Sequence, residues 1–296
     1  MIKCIYSLFA EFTKERVFMR KIKIVSDSSS DLKTLDGIAF ATAPLKIITA
    51  NKQYVDDESL DVEEMTNDLF TYKGKSSTSC PSIGDWLEAF DNSEWIFCVT
   101  ITGTLSGSYN SAMNAKRTYE EEHPERRVFV LNSLTTGPEM ILIIEKLRAL
   151  IGEGLDFDEI CDQIEEYRKK TGLLFMLESL KNLANNGRVS PIVAKLAGIL
   201  GIRLVGKASD RGDLEPINKC RGEKNALETM RNQLKELGYA GGKLRITHCL
   251  NASAAEALRN MLLSEFQGAE IQILPCRGLC SFYAERGGLL VGFEKN

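Results

Sequence analysis

The chain has 296 residues, 44% hydrophobic and 26% charged, a balance that belongs to folded globular proteins and excludes disordered and fibrous classes. Its formal net charge is −4, with Lys and Arg scattered among Asp and Glu, so no basic stripe invites nucleic acid. No segment approaches the about 18 uninterrupted apolar residues of a membrane span, and stable membrane insertion is not expected.

In chain order, "MIKCIYSLFAEFTKERVFMR" opens with an apolar stretch that Glu11 interrupts, too short for a secretory h-region. Residues 1–18 are read as an N-terminal extension. "KIKIVSD" is a buried strand running into "SDSSSDL", where Asp27, Ser28 and Ser29 are placed to accept backbone N–H groups. "FATAPLKIITA" and "KQYVDDESL" read as two further strands. "DVEEMTNDLFTYKG" has Val62, Met65, Leu69 and Phe70 at helical spacing. "KSSTSCPSIGDWLEAF" sets a Ser/Thr cluster before Pro81 and a helix. The strand "WIFCVTI" feeds "TGTLSGSYNSA" and a helix, "RVFVLNS" is another strand, and "TTGPEMILIIEKLRALIGEG" is a long helix ended by Gly152 or Gly154. Alternating strands and helices predict an α/β, parallel doubly wound domain over residues 19–154, with ligands beyond the C-terminal strand ends.

After residue 155 the pattern changes. "DFDEICDQIEEYRKKT" is an amphipathic helix, "GLLFML" a strand, "ESLKNLANNG" a short helix and "SPIVAKLAGILGI" an apolar one. "RLVGKA" and "EPINKC" flank a turn as a hairpin. Helix, strand, helix, strand, strand follow through "GGLLVGFE", predicting an α+β domain over 155–296.

Three hydroxyl-rich turns, residues 26–31, 76–82 and 102–111, fall at strand ends along one predicted sheet edge and are positioned to converge. In the third, Gly103 and Gly107 let backbone approach a ligand, and the helix that follows offers free N–H groups to an anion. Capping alone explains the same residue types. Ser106 as a nucleophile needs a base. "GTLSG" misses the GxSxG elbow by one position, and the two histidines, His123 and His248, fall in a charged turn and at a strand end. Neither a GxGxxG nor a GxxxxGK[ST] motif is present. Arg188 follows a helix-ending glycine and precedes Ile192, Leu196, Ile199 and Leu200. It reads either as a junction charge paired with a carboxylate or as a fixed cation beside an elongated apolar pocket, which suits a long-chain carboxylate. Eight cysteines without a CxxC pair, and with so few histidines, argue against disulfides or zinc and for a reducing cytoplasm. Cys276 and Cys280 have ligand spacing but no second pair.

Five segments, "VSDSSSDL", "STSCPSIGDWLEAF", "TLSGSYNSA", "VLNSLTTGPEMILI" and "LESLKNLANNGRVSPIVAKLAGILGIRLV", in this order and spacing, resemble the signatures of the bacterial DegV family over residues 21 to about 296. That resemblance implies a two-domain DegV-like fold and a non-catalytic fatty-acid-binding protein, with the acyl carboxylate presented to a separate fatty acid kinase that supplies ATP and magnesium. It implies no cofactor and no metal in this chain. It places the carboxylate on Thr78 and Ser106, with Arg188 nearby, the first-strand turn at Asp27, Ser28 and Asp31, and Ile192, Leu196, Ile199 and Leu200 along the acyl tunnel. One segment departs: many members carry GxHxGPG near the C-terminus, where this chain reads "CRGLCSFYAERGG". Cys280 stands in the histidine's place, Ser281 follows as a donor to the carboxylate, and Phe282 and Tyr283 occupy positions that are usually glycine and proline. The alternatives are an acyl hydrolase or transferase using Ser106, or a binding module for another lipid-like anion.

Overall fold

The computed structural model describes residues 20–190 and 201–296. The extension over 1–18 and the tunnel positions Ile192, Leu196, Ile199 and Leu200 lie outside the described residues.

The first part of the chain runs through β1 (Ile22–Asp27), β2 (Ala39–Ala43), β3 (Lys46–Ile48), β4 (Gln53–Val55), α1 (Val62–Thr71), β5 (Ser77–Ser79) and α2 (Ile83–Phe90). It continues with β6 (Trp95–Thr100), α3 (Ser108–Glu122), β7 (Arg127–Asn132), α4 (Pro138–Gly152) and α5 (Phe157–Arg168). Strands in the order β2-β1-β6-β7 form an all-parallel sheet. Every residue of β6 is buried, as expected of a strand covered on both faces. Trp86, Phe90, Ala112 and Ala115 of α2 and α3 pack on one face, against Val25, Ile96 and Cys98. Met140, Ile144, Phe157 and Ile160 of α4 and α5 pack on the other, against Ile24, Phe97 and Val99. This is the doubly wound arrangement expected from the alternation of elements.

The region after β2 differs from its sequence reading. Three strands, not two, follow β1 before the first helix, and Ser77–Ser79 adds one that was not foreseen. β4, β3 and β5 form a separate antiparallel sheet in that order. Pro44 lacks the N–H that would continue the parallel ladder, so β2 stops and the chain leaves for the second sheet. Ser77–Ser79 is too short and polar to show an apolar alternation.

The second part contains β8 (Thr171–Leu177), α6 (Lys181–Asn185), β9 (Ile202–Ala208), β10 (Leu214–Arg221), α7 (Glu223–Glu236) and β11 (Lys243–His248). α8 (Ala252–Glu265), β12 (Glu270–Pro275), α9 (Gly278–Ala284) and β13 (Leu289–Glu294) follow. The sheet order is β10-β9-β8-β13-β11-β12, antiparallel except for the β11–β12 pair. Leu227, Met230, Leu258 and Leu262 of α7 and α8 bury one face. The other face meets α4, which touches β8, β11 and β13 on one side and β1 and β6 on the other. Its unbroken buried run from Met140 to Ile144 marks a helix with neighbours all round.

Candidate functional site

The turn after β1 is held by Asp27, which has no solvent exposure. One carboxylate oxygen accepts the Ile101 N–H at 2.9 Å and the Ser108 hydroxyl at 2.5 Å; the other accepts the Ser29 N–H at 3.3 Å and the Ser29 hydroxyl. Burial pushes this carboxyl above its ordinary range, against the bonds from Ser108, Ser29 and Ile101. Asp27 thereby ties the end of β1 to the loop after β6 and to the first turn of α3. Ser28 Oγ accepts the Leu45 N–H at 3.0 Å. Both residues brace the site from behind, since neither lines the cavity described next.

That cavity, about 300 Å³ in volume, lies between the parallel sheet's C-terminal edge and the face of the six-stranded sheet. Leu45, Ile101, Phe175, Leu177, Leu279 and Leu290 form apolar wall. Thr78, Ser106, Arg188 and Cys280 line the same cavity, so four positions drawn from both parts of the chain meet there.

Ser106 precedes α3, whose N-cap residue, Gly107, makes no side-chain cap bond. Ser106 Oγ accepts the Ser108 N–H at 3.2 Å, and its own hydrogen goes to no group among the described residues. Space at Gly107 is tight, because a Cβ at this position would lie 3.1 Å from Cys80 Sγ. The strand that carries Thr78 therefore abuts the Ser106 loop. Arg188 donates Nε–H to the Leu105 carbonyl at 3.1 Å and Nη1–H to the Asn186 carbonyl. Among the described residues no carboxylate pairs with it. The β9–β10 turn closes another side: Thr104 Oγ1 donates to the Gly212 carbonyl at 3.1 Å, and Gly212 lines the cavity.

α9, which no local signal marks as a helix, carries Cys280 and Tyr283 into the cavity wall. Asp56 accepts the N–H groups of Gly278 and Leu279, each at 2.9 Å, taking up orphan donors at the helix start. Arg277, 2% exposed, donates to the Leu32 carbonyl at 2.5 Å and to the Asp56 carbonyl at 2.7 Å, while its N–H bonds Asp31 at 2.7 Å. Burial and the neighbouring Asp31 carboxyl push the Cys280 thiol well up, and it donates to the Ser29 carbonyl at 3.3 Å. It presents a neutral thiol. Tyr283 Oη lies 2.8 Å from Thr78 Oγ1, and burial keeps this phenol protonated well into the alkaline range.

Ser281 is not brought into the cavity. Its hydroxyl turns back to the Cys276 carbonyl at 3.3 Å, because successive residues of a helix cannot face the same side. Thr135, Thr136 and Tyr283 line the cavity although the sequence did not single them out as ligands. The first two belong to "NSLTTG", a fourth hydroxyl-rich strand end with the same signal as the three turns noted above. Neither histidine lines the cavity. His248 Nδ1 accepts the Asn251 N–H at 3.3 Å, and His123 caps α3 against the Tyr119 ring. Among the described residues, no group of three or more His, Cys, Asp or Glu is placed to hold a metal, all cysteines are free, and no helix is long and apolar enough to cross a membrane.

The model of a family described as "uncharacterised protein, DegV family" matches residues 21–296. A DegV domain-containing protein of Streptococcus pneumoniae is 44% identical over 276 residues, 92% of this chain and 98% of that one. A crystal structure of a DegV family protein from Eubacterium eligens loaded with heptadecanoic acid is 45% identical, with a TM-score of 0.91 over 93% of this chain and 100% of that chain. The Streptococcus pneumoniae fatty acid kinase B3 protein loaded with linoleic acid is 43% identical, with a TM-score of 0.91 and the same coverage.

Proposed function

The chain belongs to the DegV family, and from that premise we propose that it binds a long-chain fatty acid as a non-catalytic carrier. The observation that supports this most directly is the meeting of Thr78, Ser106 and Arg188, which pairs with no carboxylate among the described residues, on one apolar-walled cavity. Two hydroxyl hydrogens and a cation match the two oxygens and the charge of a carboxylate. The acyl chain supplies the affinity: about fourteen methylenes at roughly 0.8 kcal/mol each give on the order of 11 kcal/mol before ordering and association costs. The head-group bonds, on the order of 1.5–3 kcal/mol each, set the orientation.

In this reading the hydroxyls and Arg188 present the carboxylate to a separate kinase subunit that brings ATP and magnesium, and the chain itself needs no cofactor. Free, mostly buried thiols suit a cytoplasmic setting. An acyl hydrolase acting through Ser106 would lack a histidine base at the cavity. Native mass spectrometry of the purified protein tests the reading: a co-purified or added long-chain fatty acid is expected at one per chain, and failure to bind palmitate or oleate overturns it.

A further inference from the structure

The 2.8 Å contact between Thr78 Oγ1 and Tyr283 Oη joins β5 to α9 across 205 residues of sequence. Each hydroxyl carries one hydrogen. Their mutual bond uses one, so the pair has a single hydrogen left to offer the cavity. A phenol is the stronger acid and hence the better donor of the two. The favoured arrangement therefore runs from Tyr283 to Thr78, which leaves the Thr78 hydrogen pointed away from the ring. A donor that is itself accepting a hydrogen bond is polarised and strengthened. The ring that sets this geometry is well held. Phe282 packs edge-on to it at 4.8 Å between centroids, Asn182 Nδ2 bonds the Phe282 carbonyl at 2.8 Å, and Asp56 fixes the start of α9.

We infer that Tyr283 is a positioning residue of the head-group site, which acts through Thr78 to aim one hydroxyl hydrogen at a carboxylate oxygen and so makes the site selective for free fatty acids over their uncharged esters. The inference rests on the fatty-acid reading above and deepens it. A free carboxylate offers two equivalent acceptor oxygens, one for the Thr78–Tyr283 pair and one for Ser106. An ester offers one carbonyl oxygen and a weakly accepting bridging oxygen, and it carries no charge for Arg188. The aimed hydrogen gains little from such a head group.

The test compares palmitate with methyl palmitate on the wild-type protein and on Tyr283→Phe, Thr78→Val and the double variant, by titration calorimetry or displacement of a fluorescent fatty acid. Tyr283→Phe keeps the ring and its packing. It is expected to weaken palmitate binding about 5- to 20-fold and methyl palmitate binding less than about 2-fold. The double variant is expected to bind palmitate no worse than Thr78→Val alone, since both changes break one relay. Wild-type affinity for palmitate in Tyr283→Phe overturns the inference. So does equal loss for acid and ester, which would mark a packing role, or full additivity of the two single changes. A wild-type protein that binds palmitate while any of these holds leaves the carrier reading standing; one that binds neither ligand removes both.

Discussion

Arg188 reaches across 83 residues of sequence to donate its Nε–H to the carbonyl of Leu105, at 3.1 Å, one residue before Ser106. A cation from the second half of the chain thus fixes the loop that carries a cavity-lining hydroxyl, Ser106, from the first. Its planar guanidinium can hold that carbonyl on one edge and still turn another toward an anion, which a lysine ammonium on a flexible stem cannot match.

Arg188→Met is therefore expected to lower fatty acid affinity by about 10- to 100-fold, the range for hydrogen bonds to a charged group. Arg188→Lys should recover only part of that loss. Displacement titrations with a fluorescent fatty acid check both, and full recovery by lysine would mean that the Leu105 bond contributes nothing.

Ser106→Ala removes the proposed donor to the carboxylate and also the acceptor for the Ser108 N–H at the unclosed start of α3. Fatty acid affinity should fall by about 10-fold or more, while stability falls by only about 1 kcal/mol, as for a lost helix cap. A binding curve and a thermal melt on the same preparation separate the two effects; unchanged affinity with a lowered melt would confine Ser106 to capping.

Asp31 gives a pH signature. Burial pushes its carboxyl up to about 7, whereas an unfolded aspartate titrates near about 3.9. Between those values the native state binds more protons than the unfolded state, so this group's contribution to stability is full below about pH 4 and is lost as the pH rises through about 7. Asp31→Asn keeps an acceptor for the Arg277 N–H and cannot ionise. The difference in Tm, wild type minus variant, should drift against the wild type from pH 4.5 to 7.5 and then level off. Asp27, Asp56 and Glu139 are displaced in the same direction by burial, so only this difference isolates Asp31, and a flat difference would show that it does not titrate in this range.

Gly212 and Gly37 offer a matched pair. Both have positive φ, +83° and +80°, but a Cβ on Gly212 would lie 2.1 Å from Thr102 Oγ1 and 2.9 Å from the Leu134 carbonyl, whereas one on Gly37 meets nothing within 4 Å. Gly37→Ala should cost only the backbone preference, about 1 kcal/mol. Gly212→Ala should cost clearly more and also weaken fatty acid binding, because the β9–β10 turn lines the cavity. Equal melts for the two variants would show that the turn yields without loss.

Much of this architecture is legible in the sequence, because strand and helix periods and strand-end hydroxyls are local signals. Ser106 and Arg188 stand out from their own segments, whereas Thr78 is singled out within the 76–82 turn only by the resemblance to the DegV family. The helix at Gly278–Ala284 did not, since it is short and starts from a carboxylate, Asp56, that lies 222 residues earlier. Ser281 was misplaced for the same reason: whether Cys280 or its neighbour faces the cavity depends on the rotation of that helix. Tyr283 looked like bulk where smaller residues usually stand, and its role depends on a partner, Thr78, that only the folded chain brings within reach. The polar strand at Ser77–Ser79 was hidden because serine and threonine at a turn look the same whether or not their backbone pairs.

The order of strands in the six-stranded sheet bears on how the protein is made. β13, at residues 289–294, is hydrogen-bonded between β8 and β11. During synthesis the sheet therefore waits with a gap at its middle until those residues emerge, and α4, whose buried run Met140–Ile144 packs between the two sheets, waits with only one of them complete. That interval exposes apolar surface and unpaired strand edges, so a nascent chain halted before residue 289 is the species on which chaperones and proteases would act.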